Sequence, residues 1–154
     1  EGRTPHQIGK KGKSNYRWIV GGKLCLVPAY NLGLVVGWDC DTANVHDSRF
    51  NPLIESFQEW MVILGDMGFH SAQGDPHNLK LCKRGEWNER MGVETVLSML
   101  TQVCHLKKVR HRVWNYFRAR LAFTMAAFNL MVQWNGFKPD HEGLVRLAIA
   151  DFSL

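Results

Sequence analysis

Apolar and polar positions change their period several times along this chain, and each change predicts an element. Trp18, Ile19, Val20, Leu24, Cys25, Leu26 and Val27 make residues 17–27 β-like around a Gly21-Gly22 pair, which marks a bulge or a close backbone approach. Residues 28–33 carry turn chemistry, and 34–38 return as a second strand paired antiparallel with the first. Residues 39–47 are turn-rich. Asp47 or Ser48 then caps a helix in which Phe50, Leu53, Ile54, Phe57 and Trp60 recur at helical spacing, with Pro52 in its early part. A short buried strand over 61–64 ends at the glycine turn around Asp66, and after an irregular stretch residues 78–82 suggest one more strand. From 88 to 105, Val93, Val96, Leu97, Leu100, Val103 and Cys104 form the stripe of an amphipathic helix, leaving Arg90, Glu94, Ser98 and Thr101 off it. A long last helix is predicted over 111–134, with Phe117, Phe123, Met125, Phe128, Met131 and Trp134 as core, and a further short helix within 144–152.

The chain has 154 residues, 45% of them hydrophobic, which suits one globular domain. Lys and Arg number 19 against 14 Asp and Glu, a formal net charge of +5 that favours a polyanionic partner. The cations cluster in two places: Lys10, Lys11, Lys13 and Arg17, in and just after a basic loop or arm over 1–16, and Lys107, Lys108, Arg110 and Arg112, at a helix junction beside Trp114. Gly9-Lys10-Lys11-Gly12-Lys13-Ser14 only superficially suggests a nucleotide-binding loop: Gln7 stands where the motif needs glycine, and a strand follows it instead of a helix. The four cysteines have no C-x-x-C pair and read as reduced, mostly buried thiols of a cytoplasmic protein. The most apolar run, 121–134, falls short of the ~20 residues needed to span a bilayer, so no membrane is expected.

Two carboxylates stand out chemically. Asp66 closes a strand at a glycine turn, and Glu94 follows Arg90 by one helical turn on the same helix face. Taken singly, Asp-x-Gly is ordinary turn chemistry and Arg90–Glu94 an ordinary surface ion pair. His46, Asp47, His70 and His77 have the spacing of no standard zinc site.

As an ordered set, Ile8-Gly9-Lys10-Lys11-Gly12-Lys13, Trp18-Ile19-Val20-Gly21, Ala43-Asn44-Val45-His46-Asp47, Gly65-Asp66-Met67-Gly68-Phe69-His70, Arg90 with Glu94, and Glu94-Thr95-Val96-Leu97-Ser98-Met99-Leu100 resemble the DDE-type transposases of bacterial insertion sequences over most of the chain. The family signature Y-x-x-R-x-x-x-E-x-x-x-x-x-x-K is matched at Arg90 and Glu94, whereas Trp87 stands at the tyrosine and Thr101 at the lysine.

The resemblance implies an α/β, RNase H-like mixed sheet flanked by helices, its first three strands antiparallel. Residues 17–134 would be the RNase H-like part and 135–154 a tail. The first aspartate of the family and the central strand that bears it have no counterpart here, so the chain is expected to be an N-terminally truncated catalytic domain, inactive alone. The implied activity is metal-dependent cleavage and strand transfer of DNA during transposition. Asp66 and Glu94 would bind two Mg2+ or Mn2+ ions ~3.5–4 Å apart, and Arg90 would position Glu94 or meet a phosphate. The implied partners are transposon ends and target DNA, with a homo-oligomer for the full-length protein, in a cytoplasmic, nucleoid-associated setting. Two readings compete: a DNA-binding remnant without chemistry, and another RNase H-like nuclease.

Overall fold

A computed structural model describes residues 8–14, 17–83, 90–106 and 109–152, leaving aside the side chains of Ser14, Arg17, Arg90, Met91 and Asp151. The described residues are mixed α/β, with small sheets and three α-helices, and form two compact units. The first holds 8–27 and 37–83, the second 28–36, 90–106 and 109–152. Among the described residues no helix is long and apolar enough to cross a membrane.

In the first unit, β1 (Lys11–Ser14) runs antiparallel to β2 (Arg17–Val20), and β5 (Ile63–Asp66) runs parallel to β6 (Leu79–Cys82) with Asp66 opposite Cys82. Between them come β3 (Gly22–Ala29) and β4 (Leu34–Thr42), hydrogen-bonded neighbours that contribute residues to both units. Only residues 30–33 join these two strands, a connection short enough for a hairpin and far too short for a parallel crossover. The core of the first unit includes Cys25, Val27, Cys40, Ala43, Phe50 and Ile54.

Several local expectations are corrected. Residues 11–14 are a strand and not part of a loop or free arm, because pairing with β2 satisfies their backbone groups; 1–7 and 15–16 lie outside the described residues. The β-like run over 17–27 divides at Gly21, whose carbonyl accepts the Ala43 N–H at 2.9 Å. The helix expected through Trp60 is a 3-10 turn over Asp47–Phe50 followed by a short α1 (Asn51–Glu55), with i to i+3 hydrogen bonds carrying the chain on to Trp60. Its cap is His46, which accepts from the Ser48 N–H, rather than Asp47 or Ser48. The strand expected over 61–64 lies two residues later and is not buried: Ile63 and Gly65 are half-buried while Leu64 and Asp66 are exposed, since among the described residues β5 pairs on one side only.

The second unit is built around α2 (Arg90–Gln102) and α3 (Trp114–Asn135), which pack on each other. Met99, Leu100, Leu121 and Phe128 are fully buried. α3 stops where Gly136 takes a left-handed conformation and donates to the Gln133 carbonyl. Phe123 (74% exposed) and Trp134 (86%) were expected in the core, yet both face solvent, because at 3.6 residues per turn they fall away from the Phe117–Leu121–Phe128 stripe. The tail forms only a 3-10 turn over Ile149–Phe152. Before it, Asp140 accepts from the Glu142 and Leu144 N–H groups and pairs with Arg146, which holds its carboxyl down at about 2.

One polar residue in α3 does the work of a strand. Asn129 accepts from the Val35 N–H at 2.9 Å and donates to the Val35 carbonyl at 2.8 Å, satisfying both backbone groups of one β4 residue. Asn129→Ala would leave the pair unmade, at a cost of about 1–3 kcal/mol for each group left without a partner. Urea denaturation should show that loss, whereas Gln133→Ala, on the exposed side of the same helix, should stay within about 0.5 kcal/mol of the parent.

Among the described residues none of the four cysteines is joined in a disulfide. Burial first, with the charges of Asp47 and Asp39 adding to it, pushes the Cys25 thiol up to about 12. Since the thiolate is the nucleophile, Cys25 should resist iodoacetamide at about pH 8 in the folded protein and react on unfolding, as peptide mapping would read.

Candidate active site

Asp66 is the last residue of β5, and three links fix its place. The parallel ladder to β6 is continued by the Ile63 N–H, which donates to the Asn78 carbonyl at 2.7 Å. The buried Asn78 side chain donates to the carbonyls of Ile54 (2.7 Å) and Met61 (3.3 Å), and so ties the start of β5 to α1. Asn51 donates to the Phe69 carbonyl at 3.1 Å, fastening the 3-10 turn over Met67–Phe69 that follows the strand. Asp66 caps that turn, its Oδ1 accepting the Gly68 N–H at 2.9 Å, and the residue remains exposed.

A second carboxylate, one the sequence reading left out of the site, lies alongside. A Cβ built on Gly68 would fall 2.6 Å from Asp47 Oδ2 and 2.9 Å from Asp66 Oδ1, so both acidic side chains converge on a glycine that leaves them room. Lys23 Nζ lies 3.0 Å from Asp47 Oδ1 and donates to the Val45 carbonyl at 2.7 Å. Carboxylates gathered this closely repel unless a cation offsets one of them, and Lys23 supplies that cation. Val45-His46-Asp47 was the available sequence signal, but nothing in the spacing linked it to Gly68. Asp41, by contrast, pairs with Arg49 at 3.1 Å, and both Asp39 and Asp41 accept from the next residue's N–H.

The histidines near Asp66 are occupied locally. His70 Nδ1 lies 2.8 Å from Asp75, whose carboxyl is held below its usual range by that bond and then by the Ser71 N–H. His46 Nδ1 lies 2.9 Å from the Ser48 hydroxyl. Among the described residues no group of three or more His, Cys, Asp or Glu side chains is placed to hold a metal.

Glu94 is exposed on α2 in the second unit, where Arg90 opens the helix with its side chain outside the described residues. Gly92, between them, lets the helix approach Tyr30, whose ring would lie 2.3 Å from an added Cβ. Thr101, at the signature's lysine position, donates to the Ser98 carbonyl of its own helix at 2.9 Å. Of the expected DNA-contacting cations, Lys10, Lys11, Lys13, Arg110 and Arg112 are exposed. Trp87, Lys107, Lys108 and the Arg17 side chain lie outside the described residues.

Compared with known proteins, the chain matches no family model, and no curated protein or solved structure shows significant similarity to it.

The glycine between the carboxylates is directly testable. Gly68→Ala must displace Asp47 from Lys23 or Asp66 from its capping bond, and should lower stability by about 1–2 kcal/mol in urea. Gly21→Ala adds a methyl with nothing within 4 Å and should be close to neutral.

Proposed function

We propose that this chain carries catalytic-domain residues of a DDE-type transposase, which cuts and joins DNA strands at transposon ends with divalent metal ions. The observation that carries the reading is Asp66 at the carboxyl end of a strand, aimed by a glycine turn, in a chain whose later helix bears Arg90 and Glu94 one turn apart. The parallel β5–β6 pair and the β3–β4 hairpin are compatible with an RNase H-like sheet. In that fold the site stands where strands end, and one of its carboxylates belongs on a helix.

The donor chemistry fits a hard cation. Asp66 and Asp47 offer only carboxylate oxygens around the space that Gly68 leaves open. Mg2+ and Mn2+ take such ligands and, in the case of Mg2+, retain several waters beside one or two carboxylates. When bound, the ions supply activation of a water or 3′-hydroxyl and stabilisation of the leaving oxygen. The residues of the chain provide the rest. The Gly68 N–H fixes the rotamer of Asp66. Lys23 neutralises Asp47, so that Asp66 is the carboxylate free of an ion pair among those described at this glycine. Arg90 orients Glu94 or receives a phosphate oxygen. DNA is the partner, its phosphates met by the exposed cations, and the protein would act as a homo-oligomer near the nucleoid.

A second reading, a DNA-binding protein without chemistry, is favoured by one observation: no three-ligand group exists among the described residues. Metal binding separates the two. Titration with Mn2+, followed by electron paramagnetic resonance of the free ion, should show Asp66→Asn and Glu94→Gln each weakening binding at least about tenfold. Affinity unchanged in both variants would leave the second reading. DNA binding by the parent chain should weaken steeply as salt rises and survive both substitutions. Vigorous DNA cleavage by the chain alone would overturn the expected inactivity and require a third ligand from among Asp39, Asp41 and Asp47.

A further inference from the structure

The β1–β2 ribbon carries a set of side chains that the chemistry at Asp66 does not use. Residues directly opposite each other in an antiparallel pair share a face, and the face alternates along each strand. Lys11 stands opposite Val20 and Lys13 opposite Trp18, so these four occupy one face, while Gly12 and Ile19 occupy the other. At Gly12 that side is closed, although Ile19 beside it keeps 42% of its surface exposed. Gly12 is buried, and a Cβ there would fall 2.1 Å from the Ala43 carbonyl oxygen, so the ribbon lies against the backbone at Ala43 with no room for a side chain.

The other face is therefore turned outward. Trp18 is 63% exposed and Val20 61%, and both lysines are exposed. Lys11 Nζ lies over the Trp18 ring, 4.6 Å from its centroid. Residues 8–20 contain no Asp or Glu. A single exposed tryptophan is ordinary on a protein surface. One flanked by cations, on a ribbon without acids, complements a partner that is polyanionic and also presents flat rings. Duplex DNA supplies phosphates but keeps its bases stacked on each other, and an acidic peptide supplies charge without regular rings. Unpaired nucleotides supply both.

We propose that the outward face of the β1–β2 ribbon binds unpaired DNA, with Trp18 stacking on a base while Lys11 and Lys13 take the flanking phosphates. On binding, the Lys11 ammonium exchanges its place over the indole for a charge-assisted hydrogen bond to phosphate. The inference rests on DNA as the partner, as proposed above, and names its form: single strand, such as a cleaved or frayed end exposes.

Fluorescence anisotropy with the full 154-residue chain tests this, using a labelled single strand of about 16 nucleotides and a blunt duplex containing it. Trp18→Ala should weaken single-strand binding about five- to a hundredfold and change duplex binding less than about twofold. Trp18→Phe should recover most of the loss, which a merely unfolded ribbon would not allow. Replacing Lys11 and Lys13 together by Ala should weaken both ligands and reduce the single-strand salt slope by about 1.4. Equal loss on strand and duplex in Trp18→Ala, or no loss, overturns the proposal while leaving DNA as the partner. Tighter binding of RNA of the same sequence overturns the assignment to DNA. Absence of DNA binding by the parent chain overturns both this inference and the proposed function. Trp18-dependent strand binding combined with Mn2+ affinity indifferent to Asp66 and Glu94 supports the ribbon and removes only the catalytic reading.

Discussion

The carboxamide of Asn129 is the interaction on which the second unit turns. It completes the hydrogen bonds of Val35 in both directions, in place of a neighbouring strand. Asparagine is a poor choice for a helix interior on propensity alone, since it competes for backbone groups and gains nothing from apolar packing. Here the competition is the function: the amide leaves its own helix and serves another segment. Phe128 beside it and Val132 one turn on are buried, so the same stretch of α3 joins apolar burial to a polar link that accepts only one register. Apolar packing tolerates small slides, whereas a paired donor and acceptor do not.

A comparable economy governs the acidic site. Gly68 has no side chain where Asp47 and Asp66 meet, its N–H orients one carboxylate, and Lys23 offsets the other. Each feature would be unremarkable alone. Together they set an exposed carboxylate at a strand end with a defined orientation, beside a second that is already neutralised. The surrounding links, from Asn51 to Phe69 and from Asn78 to Ile54 and Met61, are side chain to backbone and come from elements on either side of β5. They order the turn at low cost in apolar area, which suits a strand whose Leu64 faces solvent.

Periodicity made several elements legible. The stripe from Val93 to Val103 located α2, the apolar run after Trp114 located α3, and Asp66 was correctly placed at a strand end. Periodicity was weakest where burial is one-sided or the helix short. The run through Phe50, Leu53, Ile54, Phe57 and Trp60 suggested a helix long enough to include all five, but regular α-helix ends at Glu55 and Trp60 is exposed. Aromatic character alone suggests core positions for Phe123 and Trp134, although the same helical period puts them away from the buried stripe. The glycine- and lysine-rich stretch around residue 12 had no strand-forming composition, and only its pairing with Arg17–Val20 made it one.

The sequence by itself determined the approximate places of β4, α2 and α3, the apolar stripe of α2, and that one acid ends a strand while another sits on a helix beside an arginine. Those features are local, fixed by backbone geometry within a turn or two. Only the tertiary structure decided that Asp47 joins Asp66 at Gly68, that Lys23 rather than a nearer cation answers Asp47, that Asn129 serves Val35, and that Lys11, Lys13 and Trp18 share one outward face. These depend on strand register and on which segments meet, and both are set by the packing of the chain at long range, where no spacing along the sequence specifies a partner.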